Sequence, residues 1–246
     1  MRRIYRIDGA DPRPPRLVIS HAAADLKRGD LSLLPTETVY GVGVAVSAYA
    51  GERPDEAPLP DAGSGYRRIF SLKQRDLVQT VPWLVADASA LDAYGIDVDP
   101  RARALAEAFW PGALTIVVKA SAAVPSFLQA ADGTVALRAS ASPVIRSLVR
   151  ACGSPLAVTS ANTHGMPAPA SFAEVEPRIL AGVDLAIDAG ETPCREASTI
   201  VSFATGELAI LREGALSSDL IRRALASGAR ADSHSTPTRA SGSDNS

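Results

Sequence analysis

The sequence predicts a single globular unit of the α+β (mixed α/β) class. Short runs rich in branched apolar residues and bounded by Pro, Gly or Asp indicate strands. Other segments carry apolar residues at helical spacing, and the two kinds interleave without a regular βαβ repeat. The chain has 246 residues, of which 46% are apolar, so it can bury a substantial core.

The elements follow in chain order. The first helix is predicted from Leu17, Val18, Ala22 and Leu26, which share a helical face and are followed by Gly29. Further helices are expected at residues 67–73, 100–109, 142–151, 171–181 and 217–226. Strands are expected at residues 31–35, 114–120, 134–140, 155–161, 198–203 and 208–212.

Two segments depart from this globular pattern. Residues 48–65 are rich in Pro, Gly, Asp and Ala and are expected to be a flexible insertion. Residues 227–246 lack apolar periodicity and are expected to be a disordered tail. The prediction is therefore one domain over residues 1–226 and a tail after it.

Composition narrows the classes of function. The formal net charge is -2, which gives no general reason to expect nucleic acid or an anionic membrane as partner. Cys152 and Cys194 lie far apart without a Cys/His cluster, which argues against a zinc site or a disulfide framework. No run of about 20 apolar residues occurs, so we expect a cytoplasmic protein without a membrane span.

The first candidate site is "SLKQRD", residues 71–76. Lys73 and Arg75 lie two positions apart, so in an extended chain both side chains would project to the same side. Two cations on one side could clamp an anion, although a solvated charged turn is the simpler interpretation of this motif alone.

Three other segments place small polar groups near turns. "LLPTETVYGVGV", residues 33–44, changes from a strand-like start to hydroxyls and two glycines that indicate a turn. Thr159, Ser160 and Asn162 end a predicted strand, where they could donate to a phosphate or merely shape the turn. The last two strands form a predicted hairpin that brings Ser198 close to Arg212.

Taken in order, seven motifs resemble one family. They are "LPTETVYGVG", "KQR", "FWPGALTIVV", "VALRAS", "TSANTHGMPAPAS", "ASTIV" and "ILREGALS". The order resembles the YrdC/Sua5 family of threonylcarbamoyl-AMP synthases over roughly residues 15–220, and the chain looks like the short, single-domain form.

The resemblance implies an open twisted sheet with flanking helices and a concave basic cavity. It implies that L-threonine, bicarbonate and ATP, with Mg2+, yield threonylcarbamoyl-AMP and pyrophosphate for the N6-threonylcarbamoyladenosine of tRNA. A downstream transferase complex would complete that modification. No metal ligand from a protein side chain is expected.

The resemblance also implies roles for single residues. The expected ATP-binding residues are Lys73, Arg75, Thr115, Val158, Ser160, Asn162 and Arg212, the first two also acting in catalysis. Thr38 and Ser198 are expected at the L-threonine substrate, and Thr36 and Tyr40 in the cavity wall.

Four residues depart from the family pattern. Asp76 and Glu213 place carboxylates beside Arg75 and Arg212, while Leu84 and Ser142 stand where relatives often carry histidine. Two alternatives therefore stay open: a divergent relative acting in carbamoyl transfer, and a non-catalytic module with weak RNA binding.

Overall fold

The computed structural model describes residues 3–9, 11, 13–77 and 79–232. Strands and helices alternate through this part of the chain. The strands are β1 (Arg3–Arg6), β2 (Ser32–Pro35), β3 (Tyr40–Ala45), β4 (Trp83–Val85), β5 (Gly95–Ile96), β6 (Leu114–Ala120), β7 (Thr134–Ala139), β8 (Leu156–Ser160), β9 (Leu185–Asp188), β10 (Thr199–Ser202) and β11 (Ala209–Arg212). The α-helices are α1 (Arg16–Lys27), α2 (Gly65–Lys73), α3 (Ala90–Tyr94), α4 (Pro100–Phe109), α5 (Pro143–Cys152), α6 (Pro177–Ala181) and α7 (Ser218–Asp232).

One mixed sheet joins the strands. Its order is β1-β9-β2-β3-β8-β4-β7-β6-β10-β11, with β5 added beside β6, so β1 and β11 are its two edges. Both parallel and antiparallel neighbours occur along it; β4 pairs parallel with β7 and antiparallel with β8. This open mixed sheet confirms the predicted α+β (mixed α/β) class.

The sheet has an apolar core on each face. Because successive strand residues point to opposite faces, Leu33 and Leu34 enter different clusters, as do Trp83 and Leu84. The first cluster packs on α2, α3, α4, α6 and α7, and the second lies under α1 and α5. Part of the second face is left for a pocket.

The helix expected over residues 171–181 is wrong as a single element. A 3-10 turn at Phe172–Glu174 is followed by the short α6, which starts at Pro177. Glu176 has an extended ψ of 133°. Proline disfavours the helical conformation in the residue before it, which explains the break.

The glycines of "VYGVGV" lie inside β3, contrary to the turn that they suggested. A Cβ at Gly41 would come 2.5 Å from Val158 Cγ1, and one at Gly43 would come 2.4 Å from the Ala157 carbonyl oxygen. These glycines let β3 approach β8, and a close approach of backbones is a known reason for glycine within a strand.

Two predicted boundaries concern the insertion and the tail. Within residues 48–65, the Tyr49 hydroxyl donates to the Gly29 carbonyl at 2.6 Å, Ala57 is buried, and a 3-10 turn spans Pro54–Glu56. The flexibility of this segment stays a prediction. Helix α7 runs to Asp232, past the boundary expected at residue 226, and residues 233–246 lie outside the described part.

Candidate active site

A pocket opens on the face of the sheet that α1 and α5 share. It gathers eight of the residues expected from the sequence, which are Thr36, Thr38, Tyr40, Thr115, Val158, Ser160, Ser198 and Arg212. Leu84 and Arg138 line it too, side by side on β4 and β7. Alternate positions of neighbouring strands therefore build its floor.

The turn between β2 and β3 is organised by the Thr36 hydroxyl. It accepts from the backbone N–H groups of Thr38 and Val39 at 3.1 Å and donates to the Val39 carbonyl at 2.6 Å. Its distance to the Thr38 hydroxyl is 2.8 Å. Thr36 thus fixes the orientation of Thr38 at the pocket.

The side chains of Thr115, Ser198 and Arg212 meet at what we name the arginine end of the pocket. The Thr115 and Ser198 hydroxyls are 2.8 Å apart. Arg212 Nη2 donates to the Ser198 carbonyl at 2.7 Å and to its hydroxyl at 3.2 Å. Strands β10 and β11 pair antiparallel, so the predicted hairpin and the proximity of Ser198 to Arg212 are confirmed.

Arg212 keeps its charge free of a carboxylate partner within the described residues. The neighbouring Glu213 instead accepts from the Ser218 N–H at 2.8 Å, at the start of α7. Desolvation of the guanidinium, and then the like charge of Arg138, lower the pKa of Arg212. Both causes disfavour the charged form of Arg212, so the negative charge of a bound anion would offset them.

Ser160, at the other side of the pocket, contacts Lys73 and Asn162 behind the wall, and we name this cluster the lysine end. Lys73 is only 2% exposed, and its ammonium donates to the Ser160 carbonyl at 2.6 Å. It also contacts the Asn162 carbonyl at 2.9 Å and Asn162 Oδ1 at 3.1 Å. Burial, reinforced by the charge of Arg75 and opposed by Glu176, lowers the pKa of Lys73 to about 8.

Lys73 and Arg75 do not lie on an extended segment. Lys73 ends α2, and Gln74 adopts a left-handed conformation with φ 52°, so the chain turns between the two cations. Both nevertheless reach the end of β8, because Arg75 Nη1 lies 3.5 Å from the Thr159 hydroxyl. Arg75 Nη2 also donates to the Gln79 carbonyl at 2.7 Å.

Lys73, Arg75 and Asn162 lie behind the pocket wall, beyond the residues that line it. Their expected contact with ATP phosphates stays a prediction. The Asp76 side chain is exposed and makes no ion pair with Arg75 in the described structure, and an effect of its charge on ATP binding stays a prediction. Burial of the guanidinium lowers the pKa of Arg75.

A buried ion pair at the pocket was missed in the sequence. Arg138 Nη2 lies 2.8 Å from Glu37 Oε1, and both side chains are more than nine-tenths buried. The approach has the distance of an ion pair but not the alignment of a hydrogen bond, and Arg138 Nε also lacks a hydrogen-bond partner. An arginine within the apolar run of β7 was the available signal, since charged residues are rarely buried unless paired.

Comparisons with known proteins identify the family of the chain. The family model Sua5/YciO/YrdC, described as telomere recombination, matches residues 59–214. The chain belongs to the Sua5/YciO/YrdC family. This membership confirms the resemblance drawn from the seven motifs.

Individual relatives span most of the chain. A Mycobacterium tuberculosis protein is 33% identical over 218 residues, 89% of this chain and 94% of that protein. The threonylcarbamoyl-AMP synthase of Chromohalobacter salexigens is 33% identical over 77% of this chain and 94% of its own. The structure of Pyrococcus abyssi Sua5 complexed with L-threonine superposes with a TM-score of 0.77 at 28% identity, over 91% of this chain and 60% of that one.

Two of the departures from the family pattern now have a structural setting. The Ser142 hydroxyl donates to the Pro35 carbonyl at 3.0 Å and accepts from the Ile145 N–H at the start of α5. It therefore joins the helix to the end of β2. Leu84 is 3% exposed and presents an apolar surface to the pocket.

Two absences complete the description of the site. No group of three or more His, Cys, Asp or Glu side chains that could hold a metal ion occurs among residues 3–232 where they are described. Nor does any described helix have the length and apolarity needed to cross a membrane.

Proposed function

We propose that the protein is an L-threonylcarbamoyl-AMP synthase, a nucleotidyltransferase that converts L-threonine, bicarbonate and ATP into threonylcarbamoyl-AMP, pyrophosphate and water. The observation that carries this proposal is the pocket itself, where hydroxyl groups and two arginines converge and no carboxylate is among the lining residues. Relatives named for this activity support it. The reaction belongs to tRNA N6-threonylcarbamoyladenosine synthesis in the cytoplasm, with a transferase complex downstream.

The amino acid fits the part of the pocket between β4, β7 and the β2–β3 turn. Arg138 has guanidinium N–H groups without a hydrogen-bond partner, which suit the substrate carboxylate. The Thr38 and Ser198 hydroxyls are donors for its polar groups, and Leu84 offers a surface for its methyl group. The P. abyssi complex supports L-threonine as the amino acid.

ATP fits between the arginine end and the end of β8. Arg212, Thr115 and Ser160 would contact phosphate oxygens, and Val158 would offer backbone groups to the nucleotide. Lys73, Arg75 and Asn162 would support this region from behind, adding positive charge close to the phosphates.

The chemistry asks for positioning and charge compensation. The threonine amine bonds to the carbon of bicarbonate with loss of water, giving a carbamate. A carbamate oxygen then bonds to the α-phosphorus, while the bond from that phosphorus to the bridging oxygen breaks and pyrophosphate leaves. Negative charge spreads over the phosphate oxygens, where Arg212 and the hydroxyl donors stabilise it.

Mg2+ would enter with the nucleotide and neutralise phosphate charge. Oxygen ligands suit this ion, and it commonly keeps several waters and binds through substrate phosphates. The pocket fits that mode, because its lining offers the hydroxyls of Thr115, Ser160 and Ser198. These residues orient the phosphates in the proposed reaction.

The test is pyrophosphate release from ATP by the purified protein with bicarbonate, Mg2+ and each amino acid in turn. Release that depends on L-threonine is expected. Release with carbamoyl phosphate and without an amino acid would instead support the carbamoyl-transfer alternative. No release, together with salt-dependent RNA binding, would support the non-catalytic RNA-binding alternative.

A further inference from the structure

Glu37 lies in the middle of the turn that carries Thr36 and Thr38, yet its carboxylate points at another strand. Oε1 lies 2.8 Å from Arg138 Nη2, and Oε2 accepts a short hydrogen bond from the Ser140 hydroxyl. The backbone carbonyl of Glu37 accepts from the Cys194 N–H at 2.9 Å. The side chain is therefore held at both carboxylate oxygens and at its backbone.

The buried hydroxyls of Ser140 and Ser142 connect the turn to the end of β7 by a second set of hydrogen bonds. The Ser140 hydroxyl accepts from the Ser142 N–H at 3.2 Å, and the Ser142 hydroxyl returns to the Pro35 carbonyl at 3.0 Å. Pro35 precedes Thr36 and Glu37 in the same turn. The turn and the end of β7 are thus connected twice, once through Glu37 and once through Ser142.

Arg138 has no comparable second support among the described residues. It is 6% exposed, Glu37 is its single ion-pair partner, and its Nε has no hydrogen-bond partner. Burying a long cationic side chain in this way destabilises the folded protein unless an opposite charge pairs with it. Glu37 supplies that pairing and leaves the other guanidinium N–H groups for a ligand.

We propose that Glu37 is the positioning residue that fixes the Arg138 guanidinium for the carboxylate of the amino acid substrate. This role rests on the proposed function, since it acts through the substrate contact of Arg138. It also explains why a buried glutamate stands next to a pocket that suits anions: its carboxylate pairs with Arg138 and does not line the pocket. The paired carboxylate thereby assigns Arg138 to a single orientation.

The experiment is a double-mutant cycle of Glu37→Ala and Arg138→Ala, with KM for L-threonine and for ATP measured by pyrophosphate release. Glu37→Ala should raise KM for L-threonine about tenfold and leave KM for ATP within about threefold. In the Arg138→Ala background, Glu37→Ala should add less than about a twofold further change, because the residue through which it acts is gone. Independent, multiplicative effects of the two substitutions would overturn the role.

Two further variants separate positioning from a general loss of stability. Glu37→Gln keeps the shape and one acceptor but loses the charge, so it should raise KM for L-threonine about threefold or more. Asp25→Ala is the matched control. Asp25, on α1, is also a buried carboxylate, and it pairs with Arg3 and Arg28. This substitution should lower the melting temperature and leave KM for L-threonine unchanged.

The outcomes also separate this inference from the proposed function. If wild-type protein releases pyrophosphate with L-threonine and both Glu37 variants keep the wild-type KM for it, the inference alone is overturned. If the wild type shows no release with any amino acid, the proposed function fails and the positioning role fails with it.

Discussion

The lysine end and the arginine end of the pocket both contain a cation with a lowered pKa, but they hold it differently. Lys73 is buried and surrounded by protein oxygens from Ser160 and Asn162, which take up its donors. Arg212 is exposed overall, and among the described residues its guanidinium donates hydrogen bonds only to Ser198. The first cation organises a turn, whereas the second is available to a ligand. Charge in a pocket is therefore not enough to identify a substrate contact.

The largest expected effects come from removing each cation in turn. Lys73→Ala leaves buried carbonyl oxygens of Ser160 and Asn162 without a donor, which should lower the free energy of unfolding by about 3 kcal/mol. Arg212→Ala should change that free energy by less than about 1 kcal/mol and reduce kcat about 100-fold. Thermal unfolding and pyrophosphate release measure both quantities. If Lys73→Ala has the stability and the pyrophosphate release of the wild type, the proposed difference between the two ends is contradicted.

The pH dependence of the free energy of unfolding tests the burial of Lys73 at the lysine end. Burial lowers the pKa of Lys73 to about 8 in the folded protein from its ordinary value of 10.5, so between these values the unfolded chain binds more protons. The free energy of unfolding contributed by this group should therefore rise as pH increases from 8 to 10.5. Lys73→Met, which cannot titrate, should lack this rise when denaturant unfolding is compared across that range. Parallel pH profiles of the two proteins would show that Lys73 titrates normally.

A smaller effect is expected at the backbone behind Ser198. A Cβ at Gly214 would come 2.1 Å from the Ala197 carbonyl oxygen, so Gly214→Ala must displace the segment that carries Ser198. We expect KM for L-threonine to rise about fivefold, since small misplacements of binding groups weaken substrate contacts. Gly63→Ala is the control, because a Cβ there meets no atom within 4 Å. Equal KM values for the two variants would show that the arginine end tolerates the shift.

The smallest effects are expected from the two carboxylates next to the cations. Asp76→Asn changes an exposed side chain, and Glu213→Gln keeps an acceptor for the Ser218 N–H. Each should change kcat/KM for L-threonine by less than about twofold and stability by less than about 0.5 kcal/mol. A gain of tenfold or more in ATP affinity in either variant would instead show that these charges repel the phosphates.

The sequence predicted β2, β6, β7, β8, β10 and β11, but it predicted neither β3 and β4 nor the order in which the strands pair. The hairpin of Ser198 and Arg212 was predictable because a short turn joins its strands along the chain. Glu37 and Arg138 lie about a hundred positions apart, so their pairing depends on the sheet order that brings β7 close to the β2–β3 turn. No local pattern contains that information.

A local preference also gave a wrong prediction for β3. Glycine weakens strands in general, so the glycines at 41 and 43 suggested a turn, but the tight approach of β3 to β8 requires them. Here a tertiary contact outweighed the local signal. The end of the helix at residue 73 was, by contrast, predicted from the sequence and is seen in α2.

The alternation along the pocket strands separates two kinds of sequence change. On β7, Arg138 faces the pocket, while its neighbours Leu137 and Ala139 enter the core of the other face. Thr115 and Ile116 are divided in the same way on β6. Substrate preference can therefore drift at every second position while the intervening positions keep the protein folded. A lineage could acquire a new amino acid substrate on this scaffold through a few substitutions, each with little cost in stability.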